Sequence, residues 1–165
     1  MLTRQALQII FRVFDMNQSL FYAAFMLVAG LGIPIMAALN GGLGTKLQST
    51  AFASVIIISV ALLMATIYLL LTEGIPTPNH SSHIPWYYYF GGFFMVFYIV
   101  TITWIAPRFG VANAVSFVLL GQLIAMSVID HFGLMGAPQF TLNTQRLIGL
   151  IFMAIGVFMV VSKPE

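Results

Sequence analysis

The sequence predicts an all-α integral membrane protein of five transmembrane helices, preceded by an amphipathic helix on the membrane surface. Three observations carry this reading. Of the 165 residues, 61% are hydrophobic and 6% charged, against roughly 45–50% and 25% in soluble globular domains. The six basic and four acidic residues all stand at the ends of apolar runs or outside them. Those runs are near the 20 residues that a helix rising about 1.5 Å per residue needs to cross a hydrocarbon core of about 30 Å.

The chain divides into a surface helix over 1–18 and a single transmembrane domain over 19–165. In the first, at about 100° per residue, Arg4, Gln5, Gln8, Arg12 and Asp15 share one face while Leu2, Ala6, Ile9, Ile10 and Val13 share the other. Such a helix lies in the interface, as an anchor for the first span or as a docking element. Polar residues continue to Gln18, where a signal peptide would have its apolar core, so the segment is expected to stay in the mature protein.

The first span covers about 19–40 and is followed by Gly41 and Gly42; Gly30, Gly32 and Pro34 are expected to interrupt it. The second covers about 49–71. A loop from Thr72 to Pro85 follows, extended by Pro76, Pro78 and Pro85. The third span, about 86–106, opens on Trp86, Tyr87, Tyr88 and Tyr89, an interfacial aromatic belt, and closes at Pro107, which restricts Ala106. Pro107, Arg108 and Phe109 are too few for anything but an antiparallel hairpin into the fourth span, about 110–130. Gly133 and Gly136 end that span, and the fifth covers about 144–162.

With five spans, Arg4, Arg12 and Arg146 fall on one side of the membrane and Lys46, Arg108 and Lys163 on the other. Three against three gives the positive-inside rule nothing to act on. Either the surface helix sets the orientation, or the chain inserts both ways and pairs with an inverted copy, a recurring plan of transporters.

Several function classes are excluded. Without cysteine there are no disulfides, thiolate metal sites or cysteine nucleophiles. The few basic residues form no clustered face for nucleic acid. His80 and His83 make an H-x-x-H with no third ligand, which does not close a metal sphere. No Ser-His-Asp constellation, phosphate loop or nucleotide fingerprint is visible, so neither enzyme activity nor a cofactor is expected.

Five short motifs in order, PW at Pro85 and Trp86, GG at Gly91 and Gly92, APRFG at Ala106 to Gly110, GQ at Gly121 and Gln122, and IDHFG at Ile129 to Gly133, closely resemble the YdcZ-type family of small five-helix bacterial inner-membrane proteins in the drug/metabolite transporter superfamily. The likeness extends from about Ser19 to Val161. It implies a transporter-like fold, a multi-pass place in the bacterial inner membrane, members that work as inverted pairs, and kinship with small multidrug resistance transporters. Those exchangers use a carboxylate in the first span, and here that span has none. PIMAALN, Pro34 to Asn40, also places Met36 where the family usually has glutamine.

The residues that remain point to a solute path. Asn113, Ser116, Ser127 and Asp130 fall within about 100° on the fourth helix, a polar stripe running down to an acid. Asp130 and His131 are the candidates for proton coupling, since histidine titrates near neutral pH; otherwise Asp130 caps the helix and His131 bonds the loop. Gln122 lies mid-span and must find a partner or a wet cavity, as an interhelical hydrogen bond or a substrate contact. The expected substrate cavity is lined by Tyr98, Trp104, Asn113, Ser116 and Gln122, whose rings and amides suit a neutral or cationic organic solute. The reading is a transporter that exports such a solute as an antiparallel homodimer, or as a heterodimer with a paralogous subunit. The alternative is a membrane scaffold or regulatory subunit without transport of its own.

Overall fold

The computed structural model describes the backbone of residues 2–75 and 84–161, and the side chains of residues 18–75 and 84–161. His80, His83 and Lys163 lie outside the described residues. Five helices follow in order: α1 (Leu2–Lys46), α2 (Thr50–Thr72), α3 (Phe90–Phe109), α4 (Val111–Phe132) and α5 (Thr144–Val160). A 3-10 turn, Trp86–Tyr89, leads into α3. The described residues contain no strand. From Gln18 to Lys46, and in α2, in α3 with its 3-10 turn, and in α4, the chain is long and apolar enough to cross a membrane; α5 is apolar and shorter. This is the all-helical, five-helix architecture that the hydropathy implies.

The chain falls into two compact units, 1–36 and 37–165. In the first, α1 is one helix that continues without a break through Pro34, so the expected interruption at Gly30, Gly32 and Pro34 is absent. A proline ring presses on the carbonyl four residues back; here that carbonyl belongs to Gly30, around whose Cα there is open space. The side chains of residues 1–17 lie outside the described residues, and with them the two faces read for the surface helix.

In the second unit α3 is central. It packs against α2 on one side and α4 on the other, and α4 packs against α5. The core where Ala37 of α1 meets this layer is small: Ala37, Ile102, Ala106 and Ala114 are buried together, with Tyr98, Ile105, Phe109, Val111 and Val115 against them. Small side chains bring backbones close, which is how helices associate where lipid supplies no hydrophobic drive.

Two helix ends differ from expectation. α1 does not stop at Asn40 but runs on to Lys46. Gly41 and Gly44 are contact points, not stops: a Cβ at Gly41 would lie 3.0 Å from Pro107 Cγ, and one at Gly44 would lie 2.9 Å from Thr103 Cγ2. With Ala37 and Asn40 they form one buried strip. The turn comes later, where Gln48 takes a left-handed φ of 52° and the Ser49 side chain caps α2 by accepting from the Phe52 N–H at 3.2 Å. α3 also passes through Pro107 to Phe109, at the cost of one helical bond, the one that the missing Pro107 N–H would give to the Thr103 carbonyl. Gly110, with φ 89°, makes the reversal.

Candidate functional site

The Gly110 hairpin sets Tyr98, twelve residues before it, and Gln122, twelve residues after it, at the same depth (110 − 98 = 122 − 110). Both fall at the middle of their spans, Trp86–Phe109 and Val111–Phe132. Tyr98 opens onto a cleft of about 390 Å³ between α3 and α4, lined also by Thr101, Ile102, Ile105, Phe109, Ala114, Phe117 and Val118. Its wall is aromatic: Phe109 stacks on Phe117 at 5.9 Å, and Phe117 meets Phe158 of α5 edge-on at 6.3 Å. The Tyr98 hydroxyl oxygen is shut off from solvent and has no hydrogen-bond partner among the described residues.

The polar stripe of α4 does face inward. Asn113 and Ser127 are buried, and Ser116 and Asp130 are half-buried. Asn113 Nδ2 donates to the Phe109 carbonyl at 2.8 Å, and Ser127 Oγ donates to the Leu123 carbonyl at 2.8 Å. Thr103, almost fully buried, donates in the same way to Ile99 at 2.6 Å. Side chains closed onto their own helix have less to offer a solute. Asn40 is different: its amide is buried and Nδ2 has no partner among the described residues. Sequence reading met it only as the last letter of PIMAALN and gave it no role. Thr101 and Thr103 were also missed, since threonine in a helix is ordinarily satisfied by the preceding turn.

Of the five residues expected to line one cavity, Tyr98 lines this cleft, and Trp104, Asn113, Ser116 and Gln122 do not join it within one chain. Trp104 stands on another face of α3, half exposed, with the Arg108 guanidinium 5.1 Å from its ring centroid. Arg108 in turn borders a cavity of about 350 Å³ with Thr45, Gln48, Ser49, Thr50 and Thr103, where α1 turns into α2. Gln122 is exposed on α4.

At the other end of α4, Asp130 and His131 hold the connection to α5. Arg146 Nη2 donates to Asp130 Oδ2 at 2.6 Å. The Leu142 N–H donates to His131 Nδ1 at 3.1 Å, Gln139 Nε2 donates to the His131 carbonyl at 3.0 Å, and the Phe140 N–H donates to the Asp130 carbonyl at 2.9 Å. Gly133, with φ 59°, turns the chain back to allow this, and Asn143 caps α5 by accepting from the Arg146 N–H at 2.8 Å. Tyr88 reaches the same region, donating to the Met135 carbonyl at 3.4 Å.

Across residues 21–159 the sequence matches the family described as "Putative inner membrane exporter, YdcZ". The chain belongs to the YdcZ family. No curated protein and no solved structure matches it. As a YdcZ family member with apolar spans of membrane-crossing length, it is a multi-pass inner-membrane protein of transporter type. The match begins at Phe21, so the amphipathic stretch before it stands outside the YdcZ pattern, while the Tyr98 cleft and the Asp130 connection both lie inside it.

Proposed function

We propose that this protein exports a small neutral or cationic organic solute across the inner membrane, and that it does so as an antiparallel dimer of two copies or of one copy with a paralogous subunit. The observation that carries the proposal is the Tyr98 hydroxyl, enclosed at mid-membrane depth without a partner beside an aromatic cleft. An unsatisfied hydroxyl in an apolar setting is unfavourable, and a solute carrying a hydrogen-bond donor or acceptor on an apolar body would relieve it. Trp104, Asn113, Ser116 and Gln122 would complete the path from either copy. The aromatic faces favour cations over anions.

Asp130 and His131 enter the proposal as the coupling groups. His131 Nδ1 accepts a hydrogen bond from Leu142, so protonating it there would remove that acceptor and loosen the link between α4 and α5. The test is transport of labelled organic amines and neutral amides into proteoliposomes of purified protein, with and without a pH gradient. Saturable flux that weakens in Tyr98→Phe supports the reading. Absence of flux for every solute in folded, reconstituted protein would leave the scaffold alternative in its place.

A further inference from the structure

Gln122 stands at the centre of α4, eleven residues from its first (122 − 111) and ten from its last (132 − 122). Its side chain is exposed on the surface of the chain, and it makes no hydrogen bond among the described residues. Hydrocarbon at that depth offers neither donor nor acceptor, so a bare amide there is strongly disfavoured. A carboxamide is complementary to itself: the N–H of each can donate to the C=O of the other. A two-fold axis in the membrane plane exchanges the two leaflets and leaves only mid-depth unchanged. In an inverted pair only a mid-depth residue can meet its own copy, and Gln122 is at that depth.

Charge is compatible with the same arrangement. With five spans, the membrane face where α4 begins carries Lys46, Arg108, Lys163 and Glu165, a net +2, and the opposite face carries Arg4, Arg12, Arg146, Asp15, Glu73 and Asp130, a net 0. Inverting one copy gives each face of the pair +2, whereas a two-fold axis along the membrane normal gathers +4 on one face, like beside like, which complementary interfaces avoid.

We infer that α4 packs against α4 of a second, inverted copy of this chain, with the Gln122 amide paired to Gln122 of the partner subunit. This rests on the antiparallel pairing proposed above and adds its face and register. Leu119 and Met126 are both exposed beside Gln122, about 60° and 40° to the same side of it around the helix. Leu119 lies about 4.5 Å before Gln122 along the axis and Met126 about 6 Å beyond it. Inversion about Gln122 therefore brings Leu119 to within about 2 Å of the depth of the partner's Met126, and leaves it about 9 Å from the partner's Leu119.

The chain has no cysteine, so introduced ones can be read without background. Oxidative cross-linking in native membranes is expected to give disulfide dimers for Gln122→Cys and for the double variant Leu119→Cys/Met126→Cys, and none for Leu119→Cys or Met126→Cys alone. Residues seven apart on one helix are about 10 Å apart along it and cannot bridge within a chain. Gln122→Leu is expected to weaken the dimer about tenfold in lipid. Cross-linking of both single variants at 119 and 126 would mean a parallel pair, and would overturn this inference together with the antiparallel reading. A dimer detected by amine cross-linking that none of the cysteine variants captures would overturn the α4 face alone and leave the transport proposal standing. Capture of a different protein at Cys-substituted position 122, or an unweakened Gln122→Leu dimer, would overturn the amide pairing.

Discussion

The carboxylate of Asp130 and the guanidinium of Arg146 meet at 2.6 Å, sixteen positions apart in sequence, and fasten the end of α4 to the start of α5. The side chains are 26% and 41% exposed, so solvent screens the pair and limits its worth to about 1 kcal/mol or less. A double-mutant cycle of Asp130→Asn and Arg146→Gln, read as thermal stability in detergent, is expected to give a coupling of about 0.2–1 kcal/mol. Asp130→Asn should leave the dimer assembled and flatten the pH dependence of transport. A wild-type pH profile in that variant would reduce the acid to a fastening.

His131 supplies the second prediction. Its Nδ1 accepts from the Leu142 N–H at 3.1 Å, and a phenyl ring in its place has no atom that can accept. In His131→Phe the Leu142 amide, corrected for its intrinsic rate, should exchange hydrogen faster than in the wild type. Equal protection in the two proteins would show that this bond does not fasten the connection.

Gly44 and Thr103 give a packing prediction. A methyl at Gly44 would lie 2.9 Å from Thr103 Cγ2, whereas a methyl at Gly42 would meet nothing within 4 Å. Gly44→Ala should destabilise the protein by about 1–3 kcal/mol and Gly42→Ala hardly at all. Thr103→Ser, which removes the methyl and keeps the hydroxyl bonded to Ile99, should rescue much of the Gly44→Ala loss. Denaturant titration of the four proteins decides it.

Asn40 and Tyr98 carry buried polar atoms without partners among the described residues. Removing such atoms should not weaken the fold, because no hydrogen bond is lost. Asn40→Ala and Tyr98→Phe are expected to stay within about 1 kcal/mol of wild-type stability. If Tyr98 contacts solute, Tyr98→Phe should lower affinity about 5- to 30-fold, in line with a lost hydrogen bond of about 1–2 kcal/mol. A marked loss of stability in either variant would show that the group has a structural partner.

The spans were legible because length and apolarity are local properties, and the α3–α4 hairpin was legible because Pro107, Arg108 and Phe109 leave no room for another path. Gly41 and Gly44 were not, since glycine both ends helices and lets them touch. Only the neighbour decides, and Thr103 and Pro107 lie some sixty positions away (103 − 44 = 59; 107 − 41 = 66). The Asp130–Arg146 contact was hidden for a similar reason: it depends on the path of the chain through Gly133 and Phe140, not on helical spacing. Of the expected cavity, Tyr98 was legible as a polar group at mid-span. Trp104 shows what hydropathy omits, because which side of α3 faces α4 is set by Ile102, Ala106 and Ala114 packing together.

α5 has 17 residues, about 25 Å of helix, beside α4 with 22, about 33 Å. The lipid around the molecule thus faces two different hydrophobic thicknesses. Such a mismatch is relieved by tilting the long helix or by thinning the leaflets around the short one, at a fraction of a kcal/mol per Å. Acyl-chain length is therefore a control variable for this protein in its own right: bilayers of shorter chains relieve the strain at α5, and longer ones press on the α4–α5 connection from the side of the lipid.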